Sequence, residues 1–237
     1  MIFAAGLGTR LLEETANKPK ALVEIGGKTL LQHAIEKVRT CPVTEIIINV
    51  HHFAEQVIRF VSEHDFGIPI QISDESGLLL ETGGGLKKAQ SFLKDASPIL
   101  LYNVDILSSI DINKVVAEHK NSGAWATLVV RNRKTNRYLK FNSAKQLVGW
   151  ENSKTGETKI SRKEDFDTAT KMAFSGIHII EPEIFELMPP EGRFPIMDLY
   201  LHLAKSKTIK GYFDTSELWM DVGKPEQLED ARKLFEI

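Results

Sequence analysis

Glycine and basic residues follow the first apolar segment of this 237-residue chain in a pattern suited to binding phosphate. Residues 1–5 predict a short strand, and Gly6 and Gly8 come directly after it. Glycines in this position leave backbone N–H groups open to an anion, because no Cβ stands in the way. Arg10 offers a planar cationic fork for phosphate, and Lys20 offers a compact second charge. We therefore predict a nucleotide phosphate site.

Spacing excludes two better-known phosphate loops. The dinucleotide fingerprint needs a third glycine where this chain has Leu11. A P-loop ending in the GGKT of residues 26–29 needs its first glycine where this chain has Leu22. We predict instead that Gly26 and Gly27 form a turn before a helix.

An aspartate ends another apolar segment, LLYNVD at residues 100–105. In open parallel sheets, ligands bind beyond the carboxyl ends of the strands, so Asp105 is well placed for a ligand. Mg²⁺ prefers one or two carboxylates together with phosphate oxygens. The alternative is a turn or helix-cap aspartate, which is common. The adjacent His51 and His52 are predicted to be loop residues, because neighbouring strand residues face opposite sides and do not readily share one ion.

Alternating strand and helix patterns must position these residues. Strands separated by helices predict an α/β fold, Rossmann-like, with a mostly parallel sheet and helices on both faces. We treat 1–237 as a single domain in which about 132–175 form an inserted, β-rich lobe. The predicted strands are 45–50, 69–73, 99–104, 126–131, 174–180, 208–213 and 218–221, with a hairpin at 138–141 and 146–150. The predicted helices are 30–38, 53–60, 85–93, 111–119 with Asp111 as its cap, 182–187, 197–204 and 224–235.

Composition argues against several other classes of protein. The formal net charge is −2, so no basic surface calls for nucleic acid. No apolar run approaches the length of a membrane span, and no secretory leader is recognised. The single cysteine, Cys41, forms no internal disulfide. We expect a cytoplasmic protein, a monomer or homodimer, with no membrane partner.

The pattern G-x-G-T-R at residues 6–10, followed by Pro19-Lys20, resembles the signature of the sugar-phosphate nucleotidyltransferases. These enzymes are also called nucleotide-sugar pyrophosphorylases. The resemblance implies a glycosyltransferase-A-like fold, Mg²⁺ as cofactor and an Asp105 that binds the metal. The segment WMDVGK at 219–224 resembles a second family motif, which implies that Asp221 is the other metal ligand. Two departures from the family pattern are Val104, in place of a glycine, and Glu13, in place of a proline.

Residues 81–85, ETGGG, resemble two groups within that family. These are the uridylyltransferases acting on N-acetylmuramic acid 1-phosphate and the mannose 1-phosphate guanylyltransferase-like proteins. The three glycines are expected to precede a helix and to let backbone approach a ligand. The resemblance implies nucleotide contacts at Ala4, Ala5, Gly6, Gly8, Thr9, Glu81, Thr82, Gly84 and Asn103. It implies sugar contacts at Gly176, in the segment FSGI, and at Glu151 and Asn152, where solvated turn residues are the alternative.

The implied reaction joins a nucleoside triphosphate to a sugar 1-phosphate and releases pyrophosphate. Arg10 and Lys20 are the expected catalytic residues, Arg10 on the pyrophosphate and Lys20 on the α-phosphate. UTP is expected as the preferred nucleotide, and GTP as the next. Two alternatives stay open: a cytidylyltransferase acting on phosphocholine or another non-sugar phosphate, and a non-catalytic nucleotide-sugar-binding protein.

Overall fold

The structure is a computed structural model that describes residues 1–235, and it alternates strands with helices as the sequence predicts. The strands are β1 (Ile2–Phe3), β2 (Glu24–Ile25), β3 (Lys28–Thr29), β4 (Ile46–Val50), β5 (Ile70–Asp74), β6 (Ile99–Asn103), β7 (Ile106–Ser108), β8 (Ala126–Arg131), β9 (Arg137–Phe141), β10 (Leu147–Asn152), β11 (Thr158–Ile160), β12 (Thr170–Ile180), β13 (Ile209–Phe213) and β14 (Trp219–Asp221). The helices are α1 (Leu30–Val38), α2 (Ala54–Glu63), α3 (Glu81–Lys88), α4 (Gln90–Leu93), α5 (Ile112–Ser122), α6 (Lys163–Phe166), α7 (Ile196–Leu203) and α8 (Pro225–Phe235). Short 3₁₀ helices are formed by Thr9–Thr15, Lys20–Leu22 and Pro182–Leu187.

The central sheet is mixed and carries helices on both faces, which confirms the predicted α/β class. Its parallel part has the order β6-β1-β4-β5, and β13 runs parallel to β8. Strand β12 lies antiparallel between β6 and β8. Buried side chains of α1, α2 and α5 pack on one face, and those of α3, α4 and α7 pack on the other. The carboxyl ends of β1, β4 and β6 therefore meet at one edge of a covered sheet.

A smaller antiparallel sheet extends from the central one through β12. Strands β9 and β10 form the predicted hairpin, and β11 adds to β10. The first residues of β12, Thr170 to Met172, pair with β9, whereas Ile177 to Ile180 pair with β6. Between these two halves the strand has an irregularity at Gly176, where φ is +76°. One continuous strand thus joins the smaller antiparallel sheet, here called the lobe, to the central sheet.

Local sequence signals account for several element boundaries. Helix α1 begins with a capping box, in which the Thr29 side chain accepts from the backbone N–H of Gln32 and the Gln32 side chain accepts in return. Asp111 caps α5, as predicted. Gly26 and Gly27 have φ of +56° and +75° and turn the chain between β2 and β3, which confirms that they form a turn.

Three structural expectations from the sequence were wrong. The glycines at 83–85 lie inside α3, which begins at Glu81 and not after them, and the helix expected over 85–93 breaks at Ala89. Residues 152–167, for which the sequence pattern predicts no strand or helix, include β11 and α6. The first strand covers Ile2–Phe3 and not residues 1–5. Among residues 1–235, no helix has the length and apolar character required to cross a bilayer.

Candidate active site

The carboxyl ends of β1 and β6 open into a cavity of about 500 Å³. This volume is typical of a small-molecule site. The predicted phosphate loop, part of α3 and the end of β6 all contribute to its wall. The lining residues are Phe3, Ala4, Ala5, Gly6, Leu7, Gly8, Thr9, Arg10, Lys20, Asn49, Leu79, Glu81, Thr82, Asn103, Val104, Asp105 and Gly223. Most residues predicted to contact the nucleotide therefore face one cavity.

The shape of the glycine-rich loop depends on Gly8, whose backbone adopts a left-handed conformation. Gly8 has φ of +66°, and a Cβ there would meet the Thr15 side chain at 3.0 Å and Lys20 Cβ at 3.2 Å. The Gly8 carbonyl accepts from Leu11 N at 2.9 Å and from Thr15 Oγ1 at 3.0 Å. Only glycine fits this combination of backbone angle and close packing. The loop therefore turns sharply into the 3₁₀ helix that carries Arg10, whose side chain is exposed at the cavity.

Lys20 and Asp105 meet in the cavity wall. Lys20 Nζ lies 2.5 Å from Asp105 Oδ2, and the side chains are 9% and 20% exposed. A buried lysine needs a counter-charge, and this carboxylate supplies it. The contact joins the phosphate loop to the end of β6, so the predicted catalytic lysine and the predicted metal ligand belong to one site.

Asp221 ends β14, which pairs with β7, and Asp105 directly precedes β7. Asp221 is the register partner of Ile106, and Val222 N donates to the Asp105 carbonyl at 2.9 Å. Asp221 Oδ1 is buried and receives no hydrogen bond from the described residues. Burial raises the pKa of Asp221, and the negative charge of Asp105 adds to that shift.

Two neighbouring carboxylates with an orphaned oxygen fit a hard divalent cation. Mg²⁺ is commonly held by one or two carboxylates, with phosphate oxygens and waters completing its shell. No cluster of three or more His, Cys, Asp and Glu side chains suited to a metal occurs within residues 1–235, so this pair would rely on substrate oxygens. The donor set therefore fits a hard divalent cation whose remaining ligands are not protein carboxylates.

Gly223 brings Arg10 close to this pair. A Cβ at Gly223 would lie 2.7 Å from Asp221 Oδ1 and 2.9 Å from Arg10 Nη2. The absent side chain leaves room for the guanidinium beside the carboxylate. Positive charges of Lys20 and Arg10 thus flank the two aspartates on the side of the glycine-rich loop.

A buried polar network supports the floor of the cavity, and the sequence analysis missed it. Asn49 Oδ1 accepts from Ala4 N at 2.8 Å, while Asn49 Nδ2 donates to Glu75 Oε1 at 2.7 Å. Glu75 is fully buried, its other oxygen accepts from Leu80 N at 3.2 Å, and burial raises the pKa of its carboxyl. The polar Asn49 within the otherwise apolar segment IIINV was the available signal.

Helix α3 presents Glu81 and Thr82 to the cavity and packs Gly84 behind them. Glu81 has φ of +60°, which is unusual for a residue with a side chain, and Arg193 Nε donates to its Oε1 at 2.8 Å. Thr82 Oγ1 accepts from Ile196 N at 3.0 Å, at the start of α7. A Cβ on Gly84 would lie 2.3 Å from the Gly192 carbonyl oxygen. Gly84 therefore permits close helix packing and does not line the cavity.

The three predicted sugar contacts are not in one place. A Cβ on Gly176 would lie 3.0 Å from Asn103 Nδ2, and Asn103 lines the cavity at the ends of β1 and β6. Glu151 and Asn152 are consecutive in β10, so they face opposite sides of the lobe. Glu151 pairs with Lys171 at 2.5 Å and Lys140 at 3.8 Å.

Asn152 lines a second cavity, of about 440 Å³, between the lobe and α7. Aromatic and polar side chains share its wall. The lining residues are Arg137, Leu139, Trp150, Asn152, Glu157, Lys159, Phe174, Pro195, Met197, Asp198 and Leu201. Aromatic faces with a polar rim suit a ligand that has both apolar and hydrogen-bonding surface.

Comparison with curated proteins reveals relatives over nearly the whole chain. N-acetylmuramate alpha-1-phosphate uridylyltransferase of Caulobacter vibrioides is 32% identical over 235 residues, covering 95% of this chain and 92% of that protein. Mannose-1-phosphate guanyltransferase of Schizosaccharomyces pombe is 28% identical over 233 residues. That match covers 95% of this chain and 61% of the yeast protein.

Solved structures share the fold. HddC from Yersinia pseudotuberculosis superposes with a TM-score of 0.78 at 22% identity, covering 99% of this chain and 97% of that one. A model of the nucleotidyl transferase family matches residues 1–236. These matches confirm the resemblance to the sugar-phosphate nucleotidyltransferases, and the chain is an enzyme that belongs to the nucleotidyl transferase family.

Proposed function

We propose that this enzyme transfers a nucleotidyl group from a nucleoside triphosphate to a sugar 1-phosphate and releases pyrophosphate. The observation that carries this proposal is the meeting of Lys20, Asp105 and Asp221 at the glycine-rich loop. A site that binds phosphates needs cations and a place for a metal, and these three residues supply both. The name of the Caulobacter vibrioides relative supports a sugar 1-phosphate as acceptor.

The chemistry proposed is an in-line displacement at the α-phosphorus. A phosphate oxygen of the sugar 1-phosphate forms a bond to that phosphorus, and the bond to the bridging oxygen of the pyrophosphate group breaks. The nucleophile is already an anion, so no general base or covalent enzyme intermediate is required. Catalysis then rests on positioning and on charge neutralisation.

Each cation has a distinct proposed role. Lys20, fixed beside Asp105, lies where the α-phosphate would approach the end of β6. Arg10, exposed on the loop, holds the departing pyrophosphate through its planar fork. Backbone amides of residues 5–9 turn toward the remaining phosphates.

Asp105 and Asp221 are the proposed ligands of Mg²⁺. The fit rests on the orphaned Oδ1 of Asp221 and on the adjacent Asp105 backbone contact. A bound magnesium ion neutralises charge on phosphate oxygens. With these two carboxylates as protein ligands, substrate oxygens and waters are proposed to complete the shell of the metal.

UTP is the proposed nucleotide, and GTP is the next candidate. The ETGGG segment resembles the uridylyltransferase form, and the relatives include both uridylyl and guanylyl enzymes. Glu81 and Thr82 line the cavity and are proposed to contact the base and ribose.

The sugar is proposed to lie against Gly176 and toward the cavity of Asn152. Phe174 belongs to that cavity and precedes Gly176 by two residues, so the two regions adjoin along β12. Glu151 lies on the face of β10 opposite to Asn152 and pairs with two lysines. We therefore propose that it is a structural residue of the lobe.

A substrate screen tests the proposal. UTP, GTP, CTP and ATP are each incubated with N-acetylmuramate 1-phosphate, mannose 1-phosphate, glucose 1-phosphate or phosphocholine, and pyrophosphate release is measured with and without Mg²⁺. We expect release with UTP and a sugar 1-phosphate. Preference for CTP with phosphocholine would favour the cytidylyltransferase alternative, and nucleotide-sugar binding without any release would favour the non-catalytic one.

A further inference from the structure

Arg133 is a second arginine close enough to act on the charge of Asp221, and the sequence motifs do not include it. Its guanidinium carbon lies 4.3 Å from the centroid of the Trp219 ring. Its Nη2 donates to the Phe174 carbonyl at 2.9 Å, and Trp219 Nε1 donates to the Ser175 carbonyl at 3.0 Å. The arginine is thus stacked and hydrogen-bonded between β14, which carries Asp221, and the middle of β12.

The charge of this arginine is not neutralised by a direct partner. Within residues 1–235, no carboxylate lies within 4.0 Å of its guanidinium, and its buried Nε has no hydrogen-bond acceptor. Arg131, two residues earlier, shows the usual structural arrangement, with Asp214 at 2.5 Å and the Ser216 hydroxyl at 3.0 Å. Arg133 is partly buried, and removing a cation from water without a counter-charge is costly, so an anionic ligand would complement it.

The position of Arg133 indicates which of the two phosphate-bearing substrates it would bind. Lys20 and Arg10 stand on the side of the glycine-rich loop, whereas Arg133 contacts the carbonyl of Phe174, a residue of the lobe-side cavity. Burial lowers the pKa of Arg133, and the charge of Asp221 opposes that shift, which supports its proximity to the metal-binding carboxylate. Arg133 thus links the strand that carries Asp221 to Phe174, two residues before Gly176, which is the side proposed for the sugar.

We propose that Arg133 binds the phosphate of the sugar 1-phosphate and orients the attacking oxygen toward the α-phosphorus. The inference rests on the function proposed above and adds a residue that recognises the second substrate. The guanidinium suits this role because its Nη1 makes no hydrogen bond within residues 1–235, while Nη2 is held by the Phe174 carbonyl and the face stays on Trp219. A lysine at this position would keep the charge but lose both the stacking and the fork.

The test compares Arg133→Gln and Arg133→Lys with the control Lys134→Gln, an exposed neighbour. Steady-state kinetics use UTP or GTP with whichever of N-acetylmuramate 1-phosphate and mannose 1-phosphate the wild type turns over. A charge-assisted hydrogen bond of usual strength predicts that Arg133→Gln raises KM for the sugar phosphate roughly 10- to 100-fold. We expect KM for the nucleotide to change less than about threefold, because the contact that is lost is to the sugar phosphate and not to the nucleotide.

Arg133→Lys should recover part of the affinity for the sugar phosphate, and Lys134→Gln should match the wild type. If Arg133→Gln is poorly folded by circular dichroism, Arg133→Lys alone carries the comparison, with a smaller rise in the same KM. The inference is overturned if KM for the sugar phosphate is unchanged in an active background, or if only KM for the nucleotide rises. A wild type that releases no pyrophosphate with any substrate pair refutes the proposed function itself.

Discussion

The ion pair between Lys20 and Asp105 joins the proposed catalytic lysine to a proposed metal ligand. Because Lys20 is preorganised beside the site of developing charge, it should act more strongly on the transition state than on substrate binding. We predict that Lys20→Ala lowers kcat by about 10²–10³, with a smaller change in nucleotide affinity. Steady-state kinetics with varied nucleotide measure both effects.

Lys28 is the matched control for Lys20. It belongs to the GGKT segment that the spacing excluded as a P-loop, and it pairs with Glu36 at 2.8 Å on the surface. Both side chains are about half exposed, so the pair contributes little. Lys28→Ala should keep wild-type kcat, and the reverse result for the two lysines would show that the wrong phosphate loop was chosen.

The two aspartates should be required for activity but not for folding. We predict that Asp105→Asn and Asp221→Asn each remove most activity, because an amide is a poor substitute for a carboxylate on Mg²⁺. Asp221→Asn should melt at or above the wild-type temperature, because it removes a buried, unsatisfied charge. Pyrophosphate release and the melting temperature are measured for both variants. Activity near that of the wild type in either variant contradicts the metal assignment.

At the residue scale, short motifs single out residues that the fold brings together, although their roles remain predictions. The loop, Lys20 and the two aspartates follow local patterns, whereas the Lys20–Asp105 contact joins residues 85 positions apart and needs the fold. Asn49 and Arg133 were missed because each is meaningful only beside residues distant in sequence. Spacing alone could place Glu151 next to Asn152 but could not show which face of β10 reaches the cavity.

At the scale of elements, α3 shows tertiary packing overriding helix propensity. Three consecutive glycines are poor helix formers, yet they lie within Glu81–Lys88. Cβ atoms on Gly83 and Gly84 would approach the Phe194 ring and the Gly192 carbonyl oxygen within 2.3 Å. The helix therefore exists because the segment before α7 packs directly on its backbone, a contact that the sequence pattern did not indicate.

We predict that Gly84→Ala destabilises the protein by about 1–3 kcal/mol, the usual cost of overpacking. The added methyl would meet a backbone oxygen, which cannot rotate away as a flexible side chain can. Urea unfolding measures the change. Gly77→Ala is the control, because a Cβ there has no atom within 4 Å among those described. Equal stability of the two variants would show that this packing is looser than the structure indicates.

At the scale of the whole molecule, buried histidine contributes to acid sensitivity. His178 lies on β12 with its Nδ1 2.6 Å from the Tyr200 hydroxyl, and burial lowers its pKa from 6.5 to about 3. The unfolded chain therefore binds a proton at higher pH than the folded one does. Stability is lost as the pH falls from 6.5 toward 3.

From this shift we predict that His178 accounts for a loss of roughly 2 to 3 kcal/mol between pH 7 and pH 4.5. His178→Gln should reduce the pH dependence by about that amount in urea unfolding at several pH values, whatever its effect at neutral pH. His202→Gln, at an exposed position of α7, is the control. An unchanged pH dependence in His178→Gln would show that other groups dominate acid unfolding.

The continuity of β12 has a consequence for how the chain unfolds. Its first residues belong to the lobe and its last to the central sheet, so neither sheet can lose this strand without exposing the other. We therefore predict that the lobe unfolds together with the central sheet. Trp150 reports on the lobe and Trp125 precedes β8 in the central sheet. Fluorescence changes of single-tryptophan variants that keep one or the other should share one denaturation midpoint.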